Sequence, residues 1–138
     1  MPEKAAGTVL AFDYGSKRIG VAVGEPELRT AHPLPGIAVS GDARFAAIGR
    51  LVAEWKPARL VVGLPLAANG SAHETTQRAE RFARQLRGRF RVPVELVDER
   101  FTSVEAEHRL RGRRAPRLAI DSVAAQLILE QYFDERAA

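Results

Sequence analysis

Cysteine is absent from this chain of 138 residues. Its absence excludes a disulfide framework and thiolate metal sites, and it agrees with a reducing compartment. Histidine is scarce: His32, His73 and His108 are scattered and argue against zinc. No apolar run approaches the length of a membrane span, and Met1-Pro2-Glu3-Lys4 lacks the apolar region of a secretory leader. The expectation is a soluble, cytoplasmic protein with no membrane partner. The chain also has no G-x-x-x-x-G-K-[ST] loop for nucleotide phosphates. Lysine occurs only at Lys4, Lys17 and Lys56, so arginine carries nearly all of the positive charge.

The net charge is +4 and the isoelectric point is about 10.1. Between Arg78 and Arg117 there are twelve arginines and six acids, a local excess of six positive charges, while the rest of the chain is slightly acidic. Arginine presents a planar fork that matches phosphate through two hydrogen bonds. Such clustering is the electrostatic footprint of a nucleic-acid binder. The ordinary alternative is a solvated arginine-rich surface.

The hydrophobic pattern changes period along the chain. Thr8 to Phe12 reads as a buried strand, and Asp13 to Lys17 as a turn eased by Gly15. In Arg18 to Gly24, Ile19, Val21 and Val23 alternate with Gly20, Ala22 and Gly24, a strand whose small face invites close packing by a helix or a ligand. Pro33 to Val39 is a weaker third strand, which its prolines push toward a sheet edge. Helical spacing follows over Asp42 to Trp55, with Phe45, Ile48, Leu51, Val52 and Trp55 as the apolar stripe. Leu60 to Leu64 reads as a strand buried on both faces. Ser71 to Arg87 reads as a helix, with a capping-box pattern at Ser71 and Glu74. Val92 to Val97 is a further strand and Thr102 to Leu110 a helix. An arginine-rich loop spans Arg111 to Arg117, and Leu118 to Phe133 is the last helix. A meander followed by βαβ units predicts an α/β fold with a mixed sheet covered by helices.

Three acids sit where apolar context makes a charge costly. Asp13 closes the first strand, at the end where ligands collect in α/β sheets, although an aspartate hydrogen-bonding its own turn is the plain alternative. Glu99, beside Asp98, follows a core strand, although both acids also suit the start of the next helix. Asp121 shares a stripe with Leu118, Ala125, Ile128 and Tyr132, although a first-turn acid also complements the helix dipole. Carboxylates that converge repel each other, and one or two Mg²⁺ or Mn²⁺ ions relieve this through oxygen ligands. Such ions support phosphodiester hydrolysis. The corner at Gly63-Leu64-Pro65-Leu66 and the Asn69-Gly70-Ser71 turn form a weaker phosphate-site candidate.

Four blocks carry a resemblance: Phe12-Asp13-Tyr14-Gly15-Ser16-Lys17-Arg18-Ile19-Gly20-Val21-Ala22, Val62-Gly63-Leu64-Pro65, Asp98-Glu99-Arg100-Phe101-Thr102-Ser103, and Ile120-Asp121-Ser122-Val123-Ala124-Ala125. In this order they resemble the YqgF/RuvX family of ribonuclease H-like nucleases over nearly the whole chain. The resemblance implies one ribonuclease H-like nuclease domain over 1–138, a five-stranded mixed sheet flanked by helices, and catalytic, metal-binding acids at Asp13, Glu99 and Asp121. It implies a metal-dependent endonuclease in 5′-end maturation of pre-16S rRNA, with a ribosomal precursor particle as partner. Lys17, Arg18 and Arg100 would steady the substrate backbone, and Arg111, Arg113, Arg114 and Arg117 would grip flanking strands. Where many ribonuclease H-like nucleases place a fourth carboxylate, Ala124 and Ala125 follow Asp121.

The alternatives differ in class. A Holliday junction resolvase would act on branched DNA instead of structured RNA and would need a symmetric homodimer, where the rRNA reading allows a monomer. A non-catalytic nucleic-acid binder would show salt-sensitive binding indifferent to Mg²⁺. A sugar-kinase-like or actin-like ATPase would need a second domain with nucleotide between the two.

Overall fold

The computed structural model describes residues 7–64, 74–98 and 116–137. Five strands form one sheet: β1 (Val9–Asp13), β2 (Ile19–Glu25), β3 (Thr30–Ile37), β4 (Arg59–Leu64) and β5 (Val94–Asp98). Their spatial order is β3-β2-β1-β4-β5. β1, β2 and β3 make an antiparallel meander, and β1, β4 and β5 run parallel. Three helices accompany them: α1 (Asp42–Trp55), α2 (Glu74–Phe90) and α3 (Arg117–Ala137). Among the described residues, no helix is long and apolar enough to cross a membrane.

The alternation of side chains divides the core into two layers. Leu10, Phe12, Ile19, Val21 and Val23 pack with Ile48 of α1 and with Phe82, Ala83 and Leu86 of α2. Phe82 is the hub of this layer, with its ring centroid 6.1 Å from Phe12, 4.9 Å from Tyr14 and 6.1 Å from Phe45. Val9, Ala11, Ala22, Val61 and Val97 pack on the other face against Ala125, Ile128, Leu129, Tyr132 and Phe133 of α3. β4 lies between two parallel neighbours with Leu60, Val61 and Val62 fully buried, which accounts for its unbroken apolar run.

The small face of β2 is the seat of α3. A Cβ on Gly20 would stand 1.9 Å from the backbone oxygen of Asp121, and one on Gly24 would press on Leu129 and Phe133. These two positions let the helix approach the strand backbone directly. Ala124 and Ala125 are buried in the same packing, so the helix carries methyl groups there, with no room for a further acid.

Several boundaries differ from the sequence expectation: α2 runs on to Phe90, β5 covers Val94–Asp98, and the last helix covers Arg117–Ala137, while two differences at β3 and β1 have a visible cause. β3 begins at Thr30, not Pro33, because Arg29 adopts a left-handed conformation (φ 52°) and its N–H bonds the Pro26 carbonyl at 3.2 Å, closing a hairpin. The edge position tolerates Pro33, and the β2–β3 register shifts between Ile19 and Val21, placing Pro35 and Gly36 at a bulge. Asp13 belongs to β1 and pairs with Gly20, not to the turn. The predicted helix at Thr102 to Leu110, the Ser71 cap and the corner after Leu64 lie outside the described residues.

Candidate active site

Asp13 follows Val9 and Ala11 in the two-residue alternation, so it stands on the α3 side of the sheet, at the carboxyl end of β1. Its register partner is Gly20. Gly20 in turn lies against the backbone of Asp121 and Ser122. Thus two residues more than a hundred positions apart in sequence reach one end of the sheet through a single glycine. A buried hydrogen bond fixes the approach: the Val21 N–H donates to Ser122 Oγ at 3.1 Å, beside the bulge.

The Asp121 carboxylate accepts a hydrogen bond from Arg18 Nε at 2.6 Å. The Arg18 side chain is 36% exposed and that of Asp121 19%. The Arg18 guanidinium is held above its ordinary pKa, first by this hydrogen bond and the Asp121 charge, against an opposing effect of burial, and last by the charge of Asp13. Asp121 is therefore the main partner of Arg18, with Asp13 a weaker influence. A raised arginine stays charged throughout the working pH range, and a pair this exposed weakens with salt. Asp121 is the fifth residue of α3, and the first turn holds no acid. A first-turn dipole role therefore does not account for it.

The turn between β1 and β2 is held from the opposite layer. Arg44 of α1 is 7% exposed. Its Nη2 donates to the carbonyls of Gly15 at 3.1 Å and Ser16 at 3.0 Å, and the guanidinium lies 5.6 Å from the Tyr14 ring centroid. Sequence reading missed this residue, although a signal existed: Arg44 precedes Ile48 by four and so lies on the buried stripe. Gly15 matters for a reason other than the one expected. Its φ is not left-handed; instead, a Cβ there would stand 2.5 Å from the Arg18 carbonyl.

Glu99 lies outside the described residues, as do Arg100, Arg111, Arg113 and Arg114. Asp98 ends β5 on the face of Val94, the α1–α2 side, while Val97 takes the α3 side. It therefore does not share the face of Asp13. Lys17 and Arg117 are exposed. Other arginines serve the scaffold: Arg87 donates to the Val94 carbonyl at 2.9 Å, and Arg89 lies 4.1 Å from the Phe45 centroid. Arg59 donates to Glu95 Oε2 at 2.6 Å and to the Tyr132 hydroxyl at 3.2 Å. The arginine excess is thus partly architectural.

Among the described residues no group of three acids or histidines gathers into a metal site. Asp13 and Asp121 nevertheless suit a hard divalent cation in their chemistry: both offer carboxylate oxygens at the same end of the sheet, and Asp121 already holds a positive group.

A family model described as "RuvX: Holliday junction resolvase" matches residues 7–135. The chain belongs to the RuvX family. Two relatives that carry the name "Putative pre-16S rRNA nuclease" support the assignment. One, from Dechloromonas aromatica, is 56% identical over 133 residues, covering 93% of this chain and 91% of the relative. The other, from Methylobacillus flagellatus, is 53% identical over 146 residues and covers all of both. Thermus thermophilus RuvC in complex with a Holliday junction substrate matches in fold, with a TM-score of 0.58 at 16% identity over 96% of each chain. The sheet order and helical layers of this RuvX chain are ribonuclease H-like. As a RuvX member the chain is a nuclease, an enzyme that acts on phosphodiester bonds.

Proposed function

We propose that the chain is a divalent-metal-dependent endonuclease acting in 5′-end maturation of pre-16S rRNA, with Asp13, Glu99 and Asp121 as the acids that hold Mg²⁺ or Mn²⁺. The observation that carries this reading is the packing of the Asp121 backbone against Gly20, the register partner of Asp13, which brings both acids to the carboxyl end of β1 in a RuvX chain. When bound, one or two such ions supply charge stabilisation for the attacking water and the leaving oxygen. The chain's own part is to hold the acids in place through Gly20, Ser122 and Arg44, and to meet the substrate backbone with cations. The exposure of Lys17 and Arg117 supports that role for them, and Arg18, Arg100, Arg111, Arg113 and Arg114 are the further cations assigned to it. Residues 1–138 work as one domain in the cytoplasm on a ribosomal precursor particle, as a monomer or homodimer.

The test is cleavage of a precursor rRNA spanning the mature 5′ end, with Mg²⁺, by wild type, Asp13→Asn and Glu99→Gln. Both variants are expected to lose cleavage while still binding the RNA. Undiminished cleavage by Asp13→Asn sinks the mechanism. The family description makes four-way DNA the competing substrate. Faster cleavage of that DNA than of the precursor RNA, by a dimer, transfers the reading to junction resolution.

A further inference from the structure

Arg18 is poorly explained as a fixed structural cation. Arg44, which is one, is buried and bonded to two carbonyls. Arg18 sits on the exposed turn between β1 and β2, and its Nε reaches a carboxylate of the candidate metal site at 2.6 Å. An ion pair of this exposure is held weakly and can exchange.

We propose that Arg18 is a built-in counterion, occupying in the metal-free enzyme the place that a divalent ion takes in the loaded one, so that metal binding and the Arg18–Asp121 bond exclude each other. This rests on the metal-site reading above. A divalent ion bound to Asp121 lies roughly 2.0–2.6 Å from its oxygen. An ion on the same Oδ2 that Arg18 Nε reaches at 2.6 Å would stand within about 5 Å of that nitrogen, where like charges repel. Without either cation, Asp13 and Asp121 repel each other. The guanidinium therefore stabilises the empty site, and binding energy from the ion releases it. Once released, Arg18 still projects from the turn beside the acids, where a substrate phosphate would meet it as a planar donor. Linkage makes the competition reciprocal: whatever Arg18 gains from Asp121, the metal loses.

The experiment measures Mn²⁺ binding calorimetrically in wild type, Arg18→Ala and Asp13→Asn/Asp121→Asn, together with the Arg18 Nε–Hε NMR signal of wild type during titration with diamagnetic Mg²⁺. Arg18→Ala is expected to bind Mn²⁺ about tenfold more tightly than wild type, within the usual range of coupling between sites. The Arg18 Nε–Hε signal, present in the metal-free protein, is expected to shift or vanish as Mg²⁺ saturates the site. Equal or weaker Mn²⁺ binding by Arg18→Ala, or an unmoved signal at saturation, overturns the counterion role and leaves the metal site standing. Absence of Mn²⁺ binding in both wild type and Arg18→Ala, or binding unaffected by the double aspartate variant, overturns both. The NMR arm uses unaltered protein, so a folding defect in Arg18→Ala does not blunt the test.

Discussion

Helix α3 carries an arginine–carboxylate cluster near each end, and the two sit in different settings. Near its C-terminus Glu95 is contacted by Arg59, Arg136 and the Tyr132 hydroxyl, two cations and a neutral donor on one acid. Near its N-terminus one arginine faces two acids, Asp121 and Asp13. The principal pair is 2.6 Å long in both clusters, and the exposures are similar, 29% and 28% against 36% and 19%. Geometry alone therefore does not separate them. Setting does: the Glu95 cluster joins one acid to two cations and fastens the helix to β4 and β5, whereas the Asp121 pair lies at the carboxyl end of β1, against the register partner of Asp13. Counting ion pairs is therefore a poor guide to function, and the place of a pair on the sheet is a better one.

The largest effect expected on this contrast comes from Asp121→Asn. It removes a carboxylate charge at the end of the sheet and is predicted to slow Mg²⁺-dependent cleavage by at least about a hundredfold, the upper range for disturbing even a supporting group of a metal site. Single-turnover kinetics with matched unfolding curves check this; a parallel fall in stability would make Asp121 a structural acid like Glu95.

Gly20→Ala tests whether the two acids depend on close packing. Its methyl would collide with the Asp121 backbone, and overpacking of this kind costs about 1–3 kcal/mol. Urea unfolding should show that loss, and cleavage should fall with it because α3 must shift. Arg44→Met sharpens the contrast from the turn. Gly15 and Ser16 would turn to water for hydrogen bonds, so stability changes little, while cleavage drops about tenfold as the Asp13–Arg18 turn loosens. The smallest effect is expected for Glu95→Gln, which keeps the shape of the other cluster. For partly exposed pairs, about 0.5–1 kcal/mol is lost, read as a lower urea midpoint with an unchanged cleavage rate.

Much of this arrangement was legible in the sequence because it rests on local pattern. The α1 boundaries follow from its stripe, and the Gly20-Ala22-Gly24 face announced a close neighbour. Asp13 and Asp121 stood out because charge is expensive beside apolar runs. The supporting residues were harder to see because their partners are distant in sequence. Ser122 looks like an ordinary helix serine until the Val21 N–H, beside the bulge of β3, donates to it. Arg44 was hidden by its charge, which suggests a surface residue, while its place on the stripe required burial. Within the arginine-rich stretch from Arg78 to Arg117, Arg87 and Arg89 have work within the fold, so charge alone does not tell a scaffold arginine from a substrate contact.

The glycine notch of β2 has one more consequence. It works as a gauge mark from which the position of Asp121 is measured. A helix advances about 1.5 Å and turns about 100° per residue. An insertion or deletion of one residue between Asp121 and Leu129 would leave α3 helical and Leu129 and Phe133 seated at Gly24. It would also carry the carboxylate a quarter-turn or more off the sheet end. The length of this one segment is therefore held to a tolerance of less than one residue, although no residue between Ser122 and Ile128 need touch a substrate.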